Sequence, residues 1–540
     1  MLPPRCPSLT LADNGMVATT HPLAAQIGLD VLKSGGNAID AAIATNAALT
    51  VMEPCNCGIG GDLFALVWDS ESKRLYGLNG SGRAPLAASI DHFLQQGHTQ
   101  IPRRGPLAIS VPGCVEGWQQ LNQRFGTRPL GDLLEPAIVA AESGVPVPQT
   151  IAKLWARSED LLRATPEATA TFLPDNRVPT EGSRFVNPRL AATLRALQAE
   201  GASAFYQGVL SEQIVKSIQK AGGVLALEDL ERHSSTWVDP ISTCYRGYDV
   251  WQIPPNGQGL TVLQMLNILE NFDLSSLSHE SSEFWHILLE AKKLAYSDRA
   301  SYYADPAYAD VPLQQLLSKE YARKQASRID PLRASQEVPS GDIDLSESDT
   351  IYLTVVDKDR NWVSLIQSNY LGFGSGIMAG DLGFMFQNRG LAFNLDPKHP
   401  NALAPGKRPF HTIIPGFVTK DNQPWLSFGV MGGDMQPQGQ VQVLVNLIDL
   451  GYNLQEAGDA PRIEHTGSAT PEGIVAQGGG TLIPELLISS STLQGLRDRG
   501  HEVSEPALNS GSFQGIMIHP ESGVLVGASE SRRDGQAVGY

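Results

Sequence analysis

The stretch Ser346-Glu347-Ser348-Asp349-Thr350-Ile351-Tyr352-Leu353-Thr354-Val355-Val356-Asp357 decides how the chain is read. From Val338 to Asp349 the residues are small, polar or acidic, with few aliphatics, the composition of a solvated loop. From Thr350 the character changes to β-branched and aliphatic side chains, which predicts a strand. Lys358-Asp359-Arg360-Asn361 then makes a polar turn, and Trp362 to Ser368 predicts a second strand. A hydroxyl residue thus stands where a loop enters a hairpin. If the Asp349–Thr350 bond is cut, Thr350 becomes a new N-terminus with nucleophile and base on one residue. A free α-amine has a pKa of about 7.7–8.0, so it can take the hydroxyl proton during attack on an amide. Asp-Thr before a strand is common, however, and the dipeptide alone does not argue for catalysis.

The 540-residue chain can bury a large core, and its 42% hydrophobic and 18% charged content are those of a globular protein. A net charge of −17 argues against nucleic acid or anionic membrane as a partner held by bulk electrostatics. No signal peptide is read at Met1 to Met16, and no window approaches the roughly 20 apolar residues of a membrane span. Five sparse cysteines fit a reducing compartment, and Cys55-x-Cys57 lacks the second pair of a metal site. A cytoplasmic protein without metal or organic cofactor is expected.

Along the chain, His21 to Ser34 predicts a helix stopped by Gly35-Gly36, and Asn37 caps a second helix, Ala38 to Met52. The run Gly58-Ile59-Gly60-Gly61 precedes a strand, Leu63 to Trp68, rather than opening a helix, so tight turning accounts for it better than phosphate binding. Arg83, beside Gly80 and Gly82, could pair with a ligand carboxylate or with a surface acid. Helices are read over Leu130 to Ser143 and Phe284 to Ala304. The charges Glu290, Lys292, Asp298 and Arg299 of the latter read most simply as a solvated face or as intrahelical pairs. A further strand is read through Phe384-Met385-Phe386, and Asn394 to Pro409 reads as a loop. Between a strand, Leu426 to Val430, and a helix, Gln436 to Leu450, lie Gly432-Gly433. Such a pair is either a plain turn or two backbone N–H groups presented as an oxyanion hole. Helices flanking strand pairs on both sides suggest an α+β, four-layer αββα sandwich.

Taken together, these stretches resemble the γ-glutamyltranspeptidase family of N-terminal-nucleophile hydrolases. The resemblance runs over almost the whole chain, from His21-Pro22-Leu23-Ala24, Gly35-Gly36-Asn37-Ala38 and Gly58-Ile59-Gly60-Gly61 through Val111-Pro112-Gly113-Cys114 and Glu290-Ala291-Lys292-Lys293 to Thr354-Val355-Val356-Asp357, Gly432-Gly433 and Gly527-Ala528-Ser529. It implies a precursor that cuts itself between Asp349 and Thr350 into a large chain, 1–349, and a small chain, 350–540, which stay associated as one catalytic unit. A homodimer of such processed heterodimers is compatible with it. The resemblance also implies Thr350 as nucleophile, Ser368 as the hydroxyl bonded near it, and Gly432 and Gly433 as the oxyanion pair.

The departures from the family bear on specificity. Ser81 aligns with the arginine that holds a γ-glutamyl α-carboxylate, and Leu391 with the aspartate that holds the α-amine. Tyr370 replaces an asparagine, and His411-Thr412 replaces a pair of serines. A charged amine facing leucine would be left unpaired. The chain is similar to a divergent branch containing oxamate amidohydrolases, with cephalosporin acylases more distant. The expectation is therefore hydrolysis of a small, carboxylate-bearing, oxamate-like amide, with Arg83, Tyr370, His411 and Thr412 as substrate contacts. The alternatives are γ-glutamyl transfer or glutathione hydrolysis, and an acylase-like amidase. A non-catalytic binding protein is disfavoured by Thr350, Ser368 and Gly432-Gly433 standing together.

Overall fold

The computed structural model describes residues 8–336, 348–473, 478–507 and 511–540. Two seven-stranded antiparallel sheets form its centre. The first runs Gln536–Gly539, Met16–Thr19, Ser348–Val356, Trp362–Leu371, Asp62–Asp69, Arg74–Gly80, Thr236–Val238. The second runs Thr10–Ala12, Leu525–Ser529, Phe513–Ile518, Gln423–Val430, Gly416–Lys420, Tyr248–Gln252, Ile241–Tyr245.

The alternation along each strand builds the layers. In Ser348–Val356, Ile351, Leu353 and Val355 face an outer core shared with helices Ala38–Met52 and Leu130–Ser143. Tyr352 and Val356 face the other way, into a core between the sheets that holds Phe64, Ile366, Phe417 and Ile516. The far side of the second sheet, with Val418, Leu426 and Phe428, packs on helices Gly259–Leu269, Ser282–Tyr302 and Met435–Ile448. Four layers result, α, β, β and α, as the sequence implied. All fifteen residues of helix Ala38–Met52 are buried, which is why it shows no polar face.

The predicted helices at Pro22–Lys33, Ala38–Met52 and Leu130–Ser143 and the hairpin around residue 360 are present. Three expectations need correction. The loop read over Val338 to Asp349 lies outside the described residues up to 347. Its last two residues are strand instead, because Ser348 and Asp349 pair in backbone register with Leu371 and Tyr370. Phe384 to Phe386 forms a single bridge, Met378 to Met385, and no strand. Of the two readings of the charges of helix Ser282–Tyr302, the solvated face fails, since Glu290, Lys292, Asp298 and Arg299 are buried, whereas an intrahelical pair is present between Glu290 and Lys293. Among the described residues no helix is long and apolar enough to cross a membrane.

Candidate active site

Thr350 sits at an irregularity of the central hairpin. Asp349 pairs with Tyr370 and Ile351 with Gln367, so Ser368 and Asn369 together stand opposite Thr350. This bulge turns Ser368 toward Thr350, whose Oγ1 donates to Ser368 Oγ at 3.1 Å. Ser368 Oγ also accepts from Tyr370 N at 2.8 Å, and Tyr370 takes a left-handed φ of 77° to make the turn. Gly61 presses against this bulge, and Gly60 against the segment at Met385. A Cβ on Gly61 would run into the Ser368 carbonyl, and one on Gly60 into that of Met385. Close approach, not anion binding, explains that glycine run.

The register between the sheets aims Thr350. Thr354 Oγ1 meets Ser427 Oγ at 2.5 Å, and the Tyr352 ring lies where a Cβ on Gly429 would be. Continuing by two, Thr350 projects toward the end of strand Gln423–Val430, where Gly432-Gly433 follows. Gly432 and Gly433 have φ of 108° and 54°, left-handed values that favour glycine. Their carbonyls accept from Met435 N at 2.8 Å and Gln436 N at 3.2 Å, which starts helix Met435–Ile448. The turn thus stands at a helix N-terminus, suited to stabilising developing negative charge.

Buried polar groups hold the turn. Gln258 Nε2 donates to Gly433 O at 2.9 Å and to Thr412 O at 2.7 Å. Arg299 Nη1 donates to Gln258 Oε1 at 2.6 Å and, with Nη2, grips the Asp434 carboxylate at 2.7 and 3.1 Å. Burial works to raise Asp434, but Arg299 more than reverses it and holds the carboxyl below its ordinary range.

A second buried arginine, Arg389, bridges Thr412 and Tyr370. Its Nη1 donates to Thr412 Oγ1 at 2.8 Å, and its guanidinium lies 3.9 Å over the Tyr370 ring. Hydrogen bonds and one cation–π contact therefore join the candidate residues into one circuit: Gly433, Gln258, Thr412, Arg389, Tyr370, Ser368, Thr350. Leu391 packs with Tyr370 and Leu371 as an apolar wall beside it. Glu472 is close enough to act on Arg389 and Tyr370, and burial pushes its carboxyl up to about 7.

Two expected contacts face elsewhere. Arg83 Nη1 donates to Gly406 O at 3.2 Å and lies 3.8 Å from Asp305. His411 Nε2 bonds to Asp62 Oδ2 at 3.0 Å, and its Nδ1 accepts from Ile413 N at 3.3 Å. Burial lowers His411 and raises Asp62 to about 7, so this contact is no buried ion pair at neutral pH. Sequence reasoning missed Arg389, Gln258 and Glu472. The argument made for Arg83 applied equally to Arg389, which Gly390 follows.

One cluster among the described residues could offer a metal three ligand atoms, those of His286, Glu290 and His501, within 4.8 Å of one another. Glu290 is already paired with Lys293 Nζ at 2.9 Å, and the two imidazoles bond each other at 2.8 Å. That ammonium competes with any cation for the carboxylate.

The chain is 40% identical over 533 residues to a glutathione hydrolase-like YwrD proenzyme of Bacillus subtilis, covering 97% of this chain and 98% of that one. It is 35% identical to an oxamate amidohydrolase proenzyme of Klebsiella pneumoniae, with 99% and 100% covered. A crystal structure of a cephalosporin acylase from Bacillus halodurans superposes with a TM-score of 0.92 at 43% identity, covering 100% and 98%. With the γ-glutamyltranspeptidase family model matching residues 24–540, the chain belongs to the γ-glutamyltranspeptidase family, as an enzyme of the N-terminal-nucleophile type.

Proposed function

We propose that this amidohydrolase matures by cutting itself before Thr350, into chains 1–349 and 350–540, and then cleaves a small carboxylate-bearing amide of the oxamate kind. The observation that carries the reading is the Thr350–Ser368 hydrogen bond, set in a bulge on the strand face that looks toward Gly432-Gly433. In the mature protein the freed Thr350 amine takes the proton from Oγ1 as that oxygen attacks the substrate carbonyl. Ser368 orients Oγ1, and the glycine turn stabilises the tetrahedral oxyanion. Collapse expels the amine, which leaves with the proton, and water then releases the acid from the acyl-Thr350 ester.

The apolar Leu391 speaks against an ammonium-bearing acyl group, since a charge-assisted hydrogen bond of about 1.5–3 kcal/mol has no acceptor there. One observation favours γ-glutamyl transfer instead: Glu472 has an enclosed oxygen, Oε2, without a hydrogen-bond partner among the described residues, and could take the ammonium. Side-by-side hydrolysis of oxamate, glutathione and a glutaryl amide separates the readings. Glutathione should be poorer by at least about tenfold in kcat/KM, which about 1.4 kcal/mol suffices to produce. Glutathione as the best substrate would overturn the first reading in favour of the second. The cut itself is checked by N-terminal sequencing, which should start the small chain at Thr350. Thr350→Ala should remain a single chain of 540 residues.

A further inference from the structure

Arg389 is a buried charge of the Thr350 circuit with hydrogen-bonding capacity left open among the described residues. It is 1% exposed, in the short turn Arg389–Ala392. Nη1 is used on Thr412 Oγ1, whereas Nη2 is enclosed and has no hydrogen-bond partner among the described residues. A guanidinium donor enclosed without an acceptor is unfavourable unless something else completes the site. Asp62, Glu472 and Tyr370 are near enough to act on its charge. None of them accepts a hydrogen bond from Nη2.

The surroundings say what would complete it. The guanidinium plane lies over the Tyr370 ring at 3.9 Å, which leaves its edge donors free to address a planar anion. Tyr370 is also the residue whose N–H holds Ser368, the partner of Thr350, at 2.8 Å. In the uncut chain, Ser348 and Asp349 pair across from Leu371 and Tyr370. Leu391, packed with Tyr370, adds an apolar wall.

We propose that Arg389 is the anchor for the substrate's carboxylate in the mature enzyme, with Nη2 donating to that anion, Thr412 and Tyr370 fixing the guanidinium, and Leu391 lining the acyl group. This rests on the amidohydrolase reading of the same site and names the acyl class: a short acid whose second end is a carboxylate. It gives Arg389, not Arg83, the role of the anion clamp. Arg83 is instead engaged with Asp305 and Gly406.

The test uses purified full-length protein and its Arg389→Gln and Arg389→Lys variants. Each is titrated calorimetrically with glutarate and with oxamate, and assayed on glutaryl- and butyryl-4-nitroanilide. Arg389→Gln should weaken binding of the anion that wild type takes by roughly 10- to 100-fold, the worth of a charge-assisted hydrogen bond. The preference for glutaryl over butyryl should fall by a similar factor. Arg389→Lys, a point charge without the fork, should recover part of the loss. Unchanged anion affinity in Arg389→Gln, no anion binding to wild type, or an equal loss on both anilides overturns the anchor. Anion binding that depends on Arg389 in a protein that cleaves neither anilide would keep the anchor and remove the amidase reading.

Discussion

Arg299 grips Asp434 with both guanidinium nitrogens, at 2.7 and 3.1 Å, and so fastens helix Ser282–Tyr302 to the residue that follows Gly432-Gly433. The arginine is fully buried, Tyr296 Oη donates to the Asp434 carbonyl, and Gln258 ties Arg299 to the carbonyl of Gly433. Charges of a long helix thus position a backbone turn far away in sequence. Removing Arg299 leaves the Asp434 carboxylate, whose side chain is 23% exposed, without its partner, which costs less than the roughly 3–5 kcal/mol of a fully buried pair. Arg299→Ala should lower the urea-unfolding free energy by less than about 3 kcal/mol. Arg299→Lys should lose less stability but still lose turnover, because one ammonium cannot reproduce the two-pronged contact. Equal urea midpoints for wild type and Arg299→Ala would show that the pair does not hold the turn.

The glycine turn makes a sharper prediction about rate. Gly432, at φ 108°, lies beyond what an alanine adopts readily, and a Cβ there would come 3.2 Å from Gly511 Cα. Gly433, at φ 54°, is in the left-handed region that alanine enters for about 1–2 kcal/mol. Gly432→Ala should therefore lower kcat by roughly 10²–10³, the effect of a displaced oxyanion donor, with a smaller change in KM. Gly433→Ala should be milder. Steady-state kinetics on samples whose circular dichroism matches wild type decide this, and a native-like Gly432→Ala with wild-type kcat would move the oxyanion site elsewhere.

Ser368 should matter by orientation alone. Its hydroxyl accepts from Thr350 Oγ1 and from Tyr370 N, both neutral donors, and such bonds are worth about 0.5–1.5 kcal/mol each. Ser368→Ala should slow both self-cleavage and turnover by about tenfold, not abolish them. Gel time courses of the maturing protein measure the first and initial rates the second. Complete loss of both in a folded variant would give Ser368 a larger role than orientation.

A buried acid away from the site predicts a pH dependence of stability. Glu53, 1% exposed, accepts from Thr20 Oγ1 at 2.5 Å and Asn56 Nδ2 at 2.6 Å, yet burial raises its carboxyl to about 7. The native state thus binds this proton more tightly than the unfolded chain. The resulting stabilisation is fully present below pH of about 4.5 and is lost as pH rises through about 7. Glu53→Gln mimics the protonated form. Turning over the Asn56 amide, whose Oδ1 has no hydrogen-bond partner among the described residues, would let it accept from the new Nε2. The variant should melt close to wild type at pH 5 and above it at pH 8, by up to ~3 kcal/mol at about 1.36 per pKa unit. Thermal melts at the two pH values settle it. A variant that is less stable than wild type at pH 8 would mean that Glu53 is ionised in the native protein.

Local chemistry made much of this protein legible from its sequence alone. The helices at Pro22–Lys33 and Ala38–Met52 carry their own start and stop signals, and the hairpin around Thr350 declares itself by alternation and a polar turn. Their order implied the layered sandwich, and the ordered matches implied the family. What the sequence left open depends on pairings between distant segments. Glu290, Lys292, Asp298 and Arg299 fit intrahelical ion pairs as well as contacts to other elements, since helical spacing says nothing about which face meets a second layer. Arg83 and Arg389 are both arginines beside a glycine, and only the packed fold sends one to Asp305 and the other over Tyr370. The bulge that brings Ser368 to Thr350 is a matter of register between two strands. Register is fixed by which faces are buried, and burial exists only once the sheets have stacked.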